Sequence, residues 1–365
     1  MQISVMLDGE QVDVNAQMVR SWCSCQRCGE SETGLRWASF TDIPTELAAS
    51  SVNQTGDRLV VQWTDGHYSD IDLALVKASG TRPKISSTRE VAPVVETMQY
   101  ADVIGSKSGL YAALDALTTN GVVHVVGGPT DETETETFAE RFGPVHVTSY
   151  GKVQVFVTSP DARTAAHTGF PQHPHTDEPF RYSPPGYLFF HSIVGGPEGE
   201  GTSLLTDGFA AAELLRCNDP AAFATLVEVP VLSHRRHEGE VRFASRSRVI
   251  SVSDDDEIQA IRINMRCLAP LNPLEPRAEE VFHAITALAK IIEDEEHQAN
   301  LHLHAGDFLI FDNNRIMHGR TGFSDASSRH LQSCHVDKDG VHSTYRMLAD
   351  SLGQPFSDLA QGPVT

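Results

Sequence analysis

Two histidines and an aspartate are spaced along the chain in a way that suits a metal site. His175 and Asp177 lie two residues apart, so on a β-strand both side chains project from the same face and can enter one coordination sphere. A distant histidine, His318, can complete a set of two imidazoles and one carboxylate. Such a set binds iron(II) through one triangular face and leaves the other positions open. The spacing therefore predicts a mononuclear iron site with room for exchangeable ligands.

An arginine eleven residues after His318 adds a second function to this site. The open metal positions can take 2-oxoglutarate through two atoms and dioxygen through the last. A guanidinium binds a carboxylate through two parallel N–H groups, so Arg329 can hold the far carboxylate of 2-oxoglutarate. A single His-x-Asp has little weight among 17 histidines, but the ordered set predicts an iron(II)- and 2-oxoglutarate-dependent oxygenase.

Two hypotheses from other classes share part of this pattern. A mononuclear-metal hydrolase or lyase on a cupin-like barrel would also use histidines and a carboxylate, but it has no need for Arg329 at its spacing. The second hypothesis is a non-catalytic relative that binds a metabolite as a sensor. The intact set of metal ligands argues against it.

Conspicuous segments surround these residues, namely 175–180 (HTDEPF), 184–191 (PPGYLFFH), 201–209 (GTSLLTDGF), 318–320 (HGR) and 328–331 (SRHL). Together they resemble the gamma-butyrobetaine hydroxylase and trimethyllysine hydroxylase family, a branch of the taurine dioxygenase-like superfamily. The resemblance covers nearly the whole chain, including its amino-terminal part. It implies a mainly β protein whose catalytic domain is a double-stranded β-helix, or jelly roll, with covering helices.

The resemblance also implies roles for individual residues and an assembly state. It places His175, Asp177 and His318 on iron and Arg329 on 2-oxoglutarate. In that superfamily a threonine or serine early in the segment matching 201–209 often helps to hold the same carboxylate. Ser203 matches it best, with its neighbour Thr202 as the alternative. The resemblance further implies a homodimer.

Three of the six cysteines fall within six residues, at Cys23, Cys25 and Cys28. Thiolates and an imidazole such as that of His67 suit zinc, and four such ligands make a closed structural site. The Cys-x-Cys step is tighter than the usual spacer, so a disulfide or three unrelated thiols is the alternative. The resemblance favours zinc, because the family's zinc-bearing amino-terminal domain has a similar Cys-x-Cys-x-x-Cys and Asp-x-His-Tyr-Ser pattern. The other cysteines, Cys217, Cys267 and Cys334, are expected to pack in the core.

The resemblance also points to substrate-binding positions. Residues matching the family's aromatic cage for a trimethylammonium group are Tyr150, Gln154, His167 and His335, of which only the first is a good cation–π partner. At the anionic end Asn264 keeps the family pattern, whereas Arg266 adds a charge that favours a doubly charged group such as a phosphonate. For Gln154, His167, His335 and Arg266 a purely structural role is the alternative.

The resemblance implies hydroxylation of an unactivated C–H bond, and these positions favour a small zwitterion as the substrate. The substrate would carry an amine or betaine at one end and a carboxylate or phosphonate at the other. The alternative within the family is gamma-butyrobetaine hydroxylation proper, the step of carnitine synthesis.

Composition and charge narrow the class of partners. The 365 residues include 28 basic and 49 acidic residues, a net charge of −21, which argues against a nucleic-acid surface. The start of the chain lacks a basic segment followed by an apolar stretch, and no later run approaches a membrane span. Clustered metal-binding cysteines suit a reducing compartment. The expected location is the cytoplasm.

The sequence predicts two domains joined by a polar linker. A small zinc-binding α+β domain is assigned to 1–82, the linker to 83–97 and the oxygenase domain to 98–365. Strands are expected at 59–63, 122–126, 307–312 and 329–336, and helices at 109–117, 209–216 and 278–297. A further helix with an acidic first turn is expected to be capped by Thr130 and to end at Gly143.

Overall fold

A computed structural model describes residues 1–30, 35–78, 90–148, 151–157, 168–237, 241–324 and 329–355. The chain forms two compact units, Met1–Arg82 and Pro83–Thr365. Within the described ranges no helix is both long enough and apolar enough to cross a membrane.

The first unit is a small α+β fold. Its elements are β1 (Gln2–Leu7), β2 (Glu10–Asn15), α1 (Ala16–Ser21), a 3-10 turn (Phe40–Asp42), β3 (Ala49–Thr55), β4 (Arg58–Trp63), β5 (Tyr68–Asp72) and α2 (Leu73–Ala78). Strands β1 and β2 form a hairpin, and β3, β4 and β5 form a three-stranded antiparallel sheet. Alternate residues of β4, Leu59, Val61 and Trp63, are buried in the core of this unit, as a half-buried strand requires.

The second unit contains the remaining elements. They are β6 (Glu96–Gln99), α3 (Tyr100–Gly105), α4 (Lys107–Asn120), β7 (Val122–Val126), α5 (Glu134–Ala139), β8 (Val153–Val157), β9 (Gln172–His175), β10 (Tyr187–Val194), β11 (Ser203–Asp207), α6 (Gly208–Asn218), α7 (Pro220–Glu228), β12 (Val231–His237), β13 (Val241–Ser247), β14 (Ile250–Val252), β15 (Ile258–Ile261), α8 (Ala278–Ile292), β16 (Ala299–Leu301), β17 (Phe308–Asp312), β18 (Ile316–Arg320), β19 (His330–Val336) and α9 (Lys338–Leu352). Short 3-10 turns lie at Met265–Cys267 and Glu295–His297.

Two sheets form the body of the second unit. One has six strands in the order β6-β7-β17-β10-β19-β8, and the other has four in the order β16-β11-β18-β9. All neighbours are antiparallel except β6 and β7. Leu309 and Phe311 of β17 pack with Leu205 and Ile316 of the other sheet, so the two sheets face each other across an apolar layer.

Helices cover the outer faces, as predicted. Phe308 and Ile310, on the other side of β17, pack in a cluster with residues of α4 and α9. Burial on both faces explains why this strand is a continuous hydrophobic run. A third cluster joins α6, α7 and α8 to β14 and β15. Helix α8 buries a stripe with helical spacing, formed by Val281, Ala284, Ile285, Leu288 and Ile292.

Some local predictions differ from the structure. The acidic helix begins at Glu134 rather than after Thr130, because the Asp131 carboxylate accepts hydrogen bonds from the backbone N–H and hydroxyl of Thr133 and forms a turn there. It ends at Ala139, and tight i to i+3 hydrogen bonds replace helical ones before Gly143. Helix α8 stops at Ile292, since the Asp294 carboxylate starts a separate 3-10 turn.

One further expectation needs correction. Of the three cysteines expected in the core, Cys334 is buried, but Cys217 is exposed on α6 and Cys267 is half-buried. In the segment assigned to a linker, residues 90–97 are described. Val91 lies in the core with α6 and α8, and residues from Glu96 onwards form β6 beside β7.

Candidate active site and cysteine cluster

His175, Asp177 and His318 come together in the second unit. Their ligand atoms lie within 4.8 Å of one another. The Nε2 atom of His175 is 3.4 Å from one carboxylate oxygen of Asp177, and the Nε2 atom of His318 is 3.8 Å from the other. The Nδ1 atom of His175 lies 2.8 Å from the carbonyl oxygen of His173, a hydrogen bond that directs Nε2 towards the carboxylate. Both imidazoles therefore present the same nitrogen to one point.

Strand pairing produces this convergence. His175 is the last residue of β9 and His318 the central residue of β18, and the two are direct partners in the antiparallel register. Gly319 permits the close approach of the strands, because a Cβ atom there would meet the carbonyl oxygen of Gln172 at 2.4 Å. The rings of Phe190 and Phe311 pack on the His318 imidazole at centroid distances of 5.4 and 4.7 Å and restrict its rotation.

Hydrogen bonds from distant parts of the chain hold the backbone between the ligands. Thr176 donates its N–H and its hydroxyl to the carbonyl of Ile263 and accepts the Ile263 N–H, at 2.8, 3.1 and 2.9 Å. The Asn313 side chain accepts the N–H of Asp177 at 2.7 Å and donates to the carbonyls of Asp177 and Pro185, both at 3.1 Å. Both contacts were missed by sequence reasoning, because their partners are far apart in the chain.

The local electrostatics favour the protonation states that bind a metal. Burial would raise the pKa of the Asp177 carboxyl, but the His318 and His175 imidazoles lower it well below its usual range. Burial lowers the pKa of His318 to about 3, and the nearby His175 contributes to the same effect. A carboxylate and neutral imidazoles are the ligand forms that iron(II) needs. The donor set and its geometry therefore fit iron.

These three residues line a cavity of about 290 Å³, a size suited to small-molecule ligands. Among the described residues, the charged side chains that line it with Asp177 are four arginines and one further acid: Arg235, Arg266, Arg320, Arg329 and Glu178. Glu178 forms an ion pair with Arg181, and its backbone φ of 52° is a conformation that residues other than glycine rarely adopt. Cationic groups therefore outnumber anionic ones around the cavity, which favours anionic ligands.

The predicted co-substrate residues lie together on the cavity wall. Ser203 pairs with Arg320 across β11 and β18, and both line the cavity with Arg329. Arg320 and Arg329 share the ring of Phe323, with guanidinium carbons 4.4 and 5.6 Å from its centroid. Burial lowers the pKa of Arg320 to about 10, helped by the charge of Arg329, so Arg320 remains cationic near neutral pH. Thr202 does not belong to the described lining; its backbone bonds to Thr321 instead.

The predicted substrate residues are partly described. Gln154 and His335 line the cavity, and burial lowers the pKa of His335 to about 4, so its imidazole is neutral near pH 7. Tyr150 and His167 lie outside the described residues. The cavity also has three phenylalanines that sequence reasoning missed, Phe156, Phe180 and Phe190.

The anionic end predicted for the substrate contains Asn264 and Arg266. Asn264 starts the 3-10 turn, and its side-chain oxygen accepts the N–H of Arg266 at 3.1 Å. One guanidinium nitrogen of Arg266 lies 2.9 Å from the Nε2 atom of His175, so Arg266 borders the metal ligands. Arg235 and Arg320 had no predicted role. Arg320 could have been found from its spacing, since it lies two residues after His318 on one strand face.

The cysteine cluster lies in the first unit. The Sγ atoms of Cys23, Cys25 and Cys28 are 3.4, 3.5 and 3.7 Å from the Nε2 atom of His67. Zinc bonds of about 2.3 Å to sulfur and about 2.0 Å to nitrogen place tetrahedral ligands about 3.5 Å apart, so the four donors fit zinc. Arg20 donates a hydrogen bond to the sulfur of Cys28 at 3.1 Å, a contact that stabilises a thiolate. All three cysteines are free thiols, against the disulfide alternative.

Sequence comparisons connect this chain to known oxygenases. The family model described as "Taurine catabolism dioxygenase TauD, TfdA family" matches residues 87–335. The chain is 29% identical to a gamma-butyrobetaine dioxygenase of Pseudomonas sp. (strain AK-1) over 356 residues, or 93% of this chain and 92% of the relative. It is 25% identical to a trimethyllysine dioxygenase of Meyerozyma guilliermondii over 394 residues, or 98% of each chain. The predicted resemblance is therefore confirmed.

Solved structures show the same fold. A putative alpha-ketoglutarate-dependent taurine dioxygenase from Burkholderia xenovorans superposes with a TM-score of 0.50 at 17% identity and covers 68% of this chain and 92% of its own. An asparagine oxygenase in complex with Fe(II), 2S,3S-3-hydroxyasparagine and succinate gives a TM-score of 0.50 at 15% identity and covers 63% and 79%. The predicted jelly-roll catalytic domain is confirmed.

Proposed function

Since the chain belongs to the taurine catabolism dioxygenase TauD, TfdA family, we propose that it hydroxylates a small zwitterionic metabolite with iron(II), 2-oxoglutarate and dioxygen. One observation carries this proposal. Two imidazole nitrogens and one carboxylate converge within 4.8 Å on the wall of a cavity that Arg329 also lines. A hydrolase or lyase would not need the arginine, and a sensor would not need a complete set of metal ligands.

In this proposal each side of the cavity has its own task. His175, Asp177 and His318 hold iron, which when bound supplies the oxidising power for attack on an unactivated C–H bond. Arg329, with Ser203 beside it, binds the far carboxylate of 2-oxoglutarate. The remaining polar wall orients the substrate, and the phenylalanine rings keep water from the reacting carbon.

The substrate class follows from the polar wall. Asn264 and Arg266 would bind an anionic group, a carboxylate or phosphonate, close to the metal ligands. Gln154 and His335 would face the amine or betaine end, at positions where the family has aromatic rings. Gamma-butyrobetaine is the second candidate substrate, because a relative that covers 93% of this chain is a gamma-butyrobetaine dioxygenase.

The proposal extends to the rest of the chain. We assign residues 1–82 to a zinc-stabilised domain with Cys23, Cys25, Cys28 and His67 as ligands, and the residues from 98 onwards to the oxygenase domain. A cytoplasmic location and a homodimer complete the proposal. The reducing cytoplasm suits the free cysteine cluster, and light scattering of the purified chain tests the dimer.

A succinate-release screen tests the function. Purified protein is incubated with iron(II), ascorbate and 2-oxoglutarate, and betaines, amino acids and aminophosphonates are added singly. The expected result is succinate formation that depends on one zwitterion and is accompanied by a product heavier by one oxygen atom. Succinate formation that no zwitterion stimulates would contradict the proposed substrate class.

A further inference from the structure

A short β-hairpin brings an additional arginine to the cavity. Strands β12 and β13 pair from Val231↔Ser247 to His237↔Val241. Ser233 of β12 forms an isolated antiparallel bridge with Leu268, and the Ala269 N–H donates to the Leu232 carbonyl at 2.8 Å. Two residues beyond Ser233 is Arg235, and two residues before Leu268 is Arg266. The bridge brings β12 next to the end of the 3-10 turn Met265–Cys267, which carries Arg266, and both arginines line the cavity.

Among the described residues neither guanidinium group forms a close ion pair with a carboxylate. The two cavity acids that interact with them electrostatically have other partners: Asp177 faces the His175 and His318 imidazoles, and Glu178 is paired with Arg181. The Nε atom of Arg266 donates a hydrogen bond to the side-chain oxygen of Asn264, at 3.4 Å. Like charges placed together and partly buried raise the free energy of the protein unless a ligand neutralises them.

A contrasting residue on the same strand shows that the position is selective. Arg236 is adjacent in sequence but exposed, and it does not belong to the described lining of the cavity. Alternation along β12 therefore directs Arg235 to the cavity and Arg236 to solvent. The other two arginines that line the cavity, Arg320 and Arg329, share the Phe323 ring.

We propose that Arg235 and Arg266 together form a subsite for a doubly charged tetrahedral headgroup, a phosphonate or phosphate monoester, on the substrate. This inference rests on the proposed function and deepens it by naming the headgroup. Arg235 is a specificity-determining residue in it. Two planar guanidinium groups offer enough N–H donors for three oxygens, whereas a carboxylate or a sulfonate supplies only one negative charge. The Asn264 amide is available as a further polar contact on this wall.

Equilibrium binding of three headgroup analogues tests the subsite. The probes are 2-aminoethylphosphonate, 2-aminoethylsulfonate and 3-aminopropionate, which share the amine but differ in headgroup charge and shape. The protein is loaded with Mn(II) and N-oxalylglycine, so that the 2-oxoglutarate position is filled, and binding is followed by calorimetry at a pH where the phosphonate is doubly ionised. Wild type, Arg235→Met, Arg235→Lys and the matched control Arg236→Met are compared.

The expected result is a preference of wild type for the phosphonate over the sulfonate that falls at least about tenfold in Arg235→Met. Arg235→Lys should keep part of the preference, and Arg236→Met should keep all of it. Affinity for N-oxalylglycine should be the same in all four proteins. Equal phosphonate preference in wild type and Arg235→Met overturns the subsite while leaving the proposed zwitterion hydroxylase intact. If none of the three probes binds wild type, both the subsite and the proposed substrate class are wrong.

Discussion

Replacing Thr176 by valine should weaken the hydrogen bonding between the segment that carries His175 and Asp177 and the segment that carries Asn264. Thr176 lies between His175 and Asp177, and its side chain is almost completely buried, with a relative exposure of 1%. Its hydroxyl donates to the Ile263 carbonyl and accepts the Ile263 N–H, next to Asn264. Valine has nearly the same shape but cannot form either hydrogen bond.

The size of the effect can be estimated from the groups left without partners. The Ile263 carbonyl would still accept the N–H of residue 176 at 2.8 Å, so the group left without a partner among the described residues is the Ile263 N–H. A buried donor without an acceptor costs about 1–3 kcal/mol. We expect the second unit to lose that much unfolding free energy. The Michaelis constant for the zwitterion should rise more than turnover falls. The reason is that Asn264, a proposed substrate contact, directly follows Ile263, whose N–H loses its hydrogen bond.

Two spectroscopic signals separate the units in this experiment. All three tryptophans, Trp22, Trp37 and Trp63, belong to the first unit, so their fluorescence during urea unfolding follows that unit alone. Far-UV circular dichroism follows mainly the larger second unit. Thr176→Val should shift the circular dichroism transition and leave the fluorescence transition in place. Thr176→Ser, which retains the hydroxyl, is the control and should behave nearly as wild type. An unchanged dichroism transition in Thr176→Val would refute the argument.

Four further predictions concern the other parts of the structure. Arg329→Ala should raise the 2-oxoglutarate concentration needed for half-maximal succinate formation, because losing this charge-assisted contact costs about 2–5 kcal/mol of binding free energy; an unchanged concentration would move this role to another residue. Cys25→Ser should lose the zinc that metal analysis finds in wild type. Its tryptophan fluorescence transition should move to a lower urea concentration, with less effect on catalysis than on this transition. Full retention of zinc would count against the assignment. Gamma-butyrobetaine should be a poor substrate, because the described positions that match the family's aromatic cage carry Gln154 and His335. Arg266→Asn should narrow the preference for other zwitterions over gamma-butyrobetaine. Steady-state kinetics with gamma-butyrobetaine as the best substrate would show that the pocket residues are misplaced. Burial lowers the pKa of His342 to about 4 from an ordinary value of about 6.5, so the stability it contributes is present above pH 6.5 and is lost as the pH falls towards 4. His342→Gln should reduce this acid sensitivity, measured by urea unfolding across that range. An identical pH dependence in the variant would exclude the residue as its source.

Structural features that depend on the local pattern of the sequence could be predicted from the sequence. The continuous hydrophobic run of β17 indicates a strand buried on both faces. The spacing of His175 and Asp177 predicts that they share a site, but the expected strand alternation is not the reason, because β9 ends at His175 and Asp177 lies beyond it. The cysteine cluster could also be predicted, because its ligands are close in sequence except for His67.

Contacts between distant segments could not be predicted in the same way. Thr176 meets Ile263 and Asn313 meets Asp177 only because the loops between sheet strands fold back onto the metal ligands. Arg235 occurs in a basic run that resembles an exposed strand, and only the bridge between β12 and Leu268 reveals that it lines the cavity. Tertiary packing decides such positions, and local pattern carries no signal for them.

The central claim is that His175, Asp177 and His318 form the iron site of a 2-oxoglutarate-dependent oxygenase. Its most direct test is release of carbon dioxide from 2-oxoglutarate labelled at C1, measured with iron(II) and the best zwitterion from the screen in wild type and Asp177→Ala. The account predicts substrate-dependent release in wild type and none in Asp177→Ala, whose circular dichroism, zinc content and fluorescence transition should match wild type. Release at the wild-type rate by a folded Asp177→Ala protein would contradict the claim.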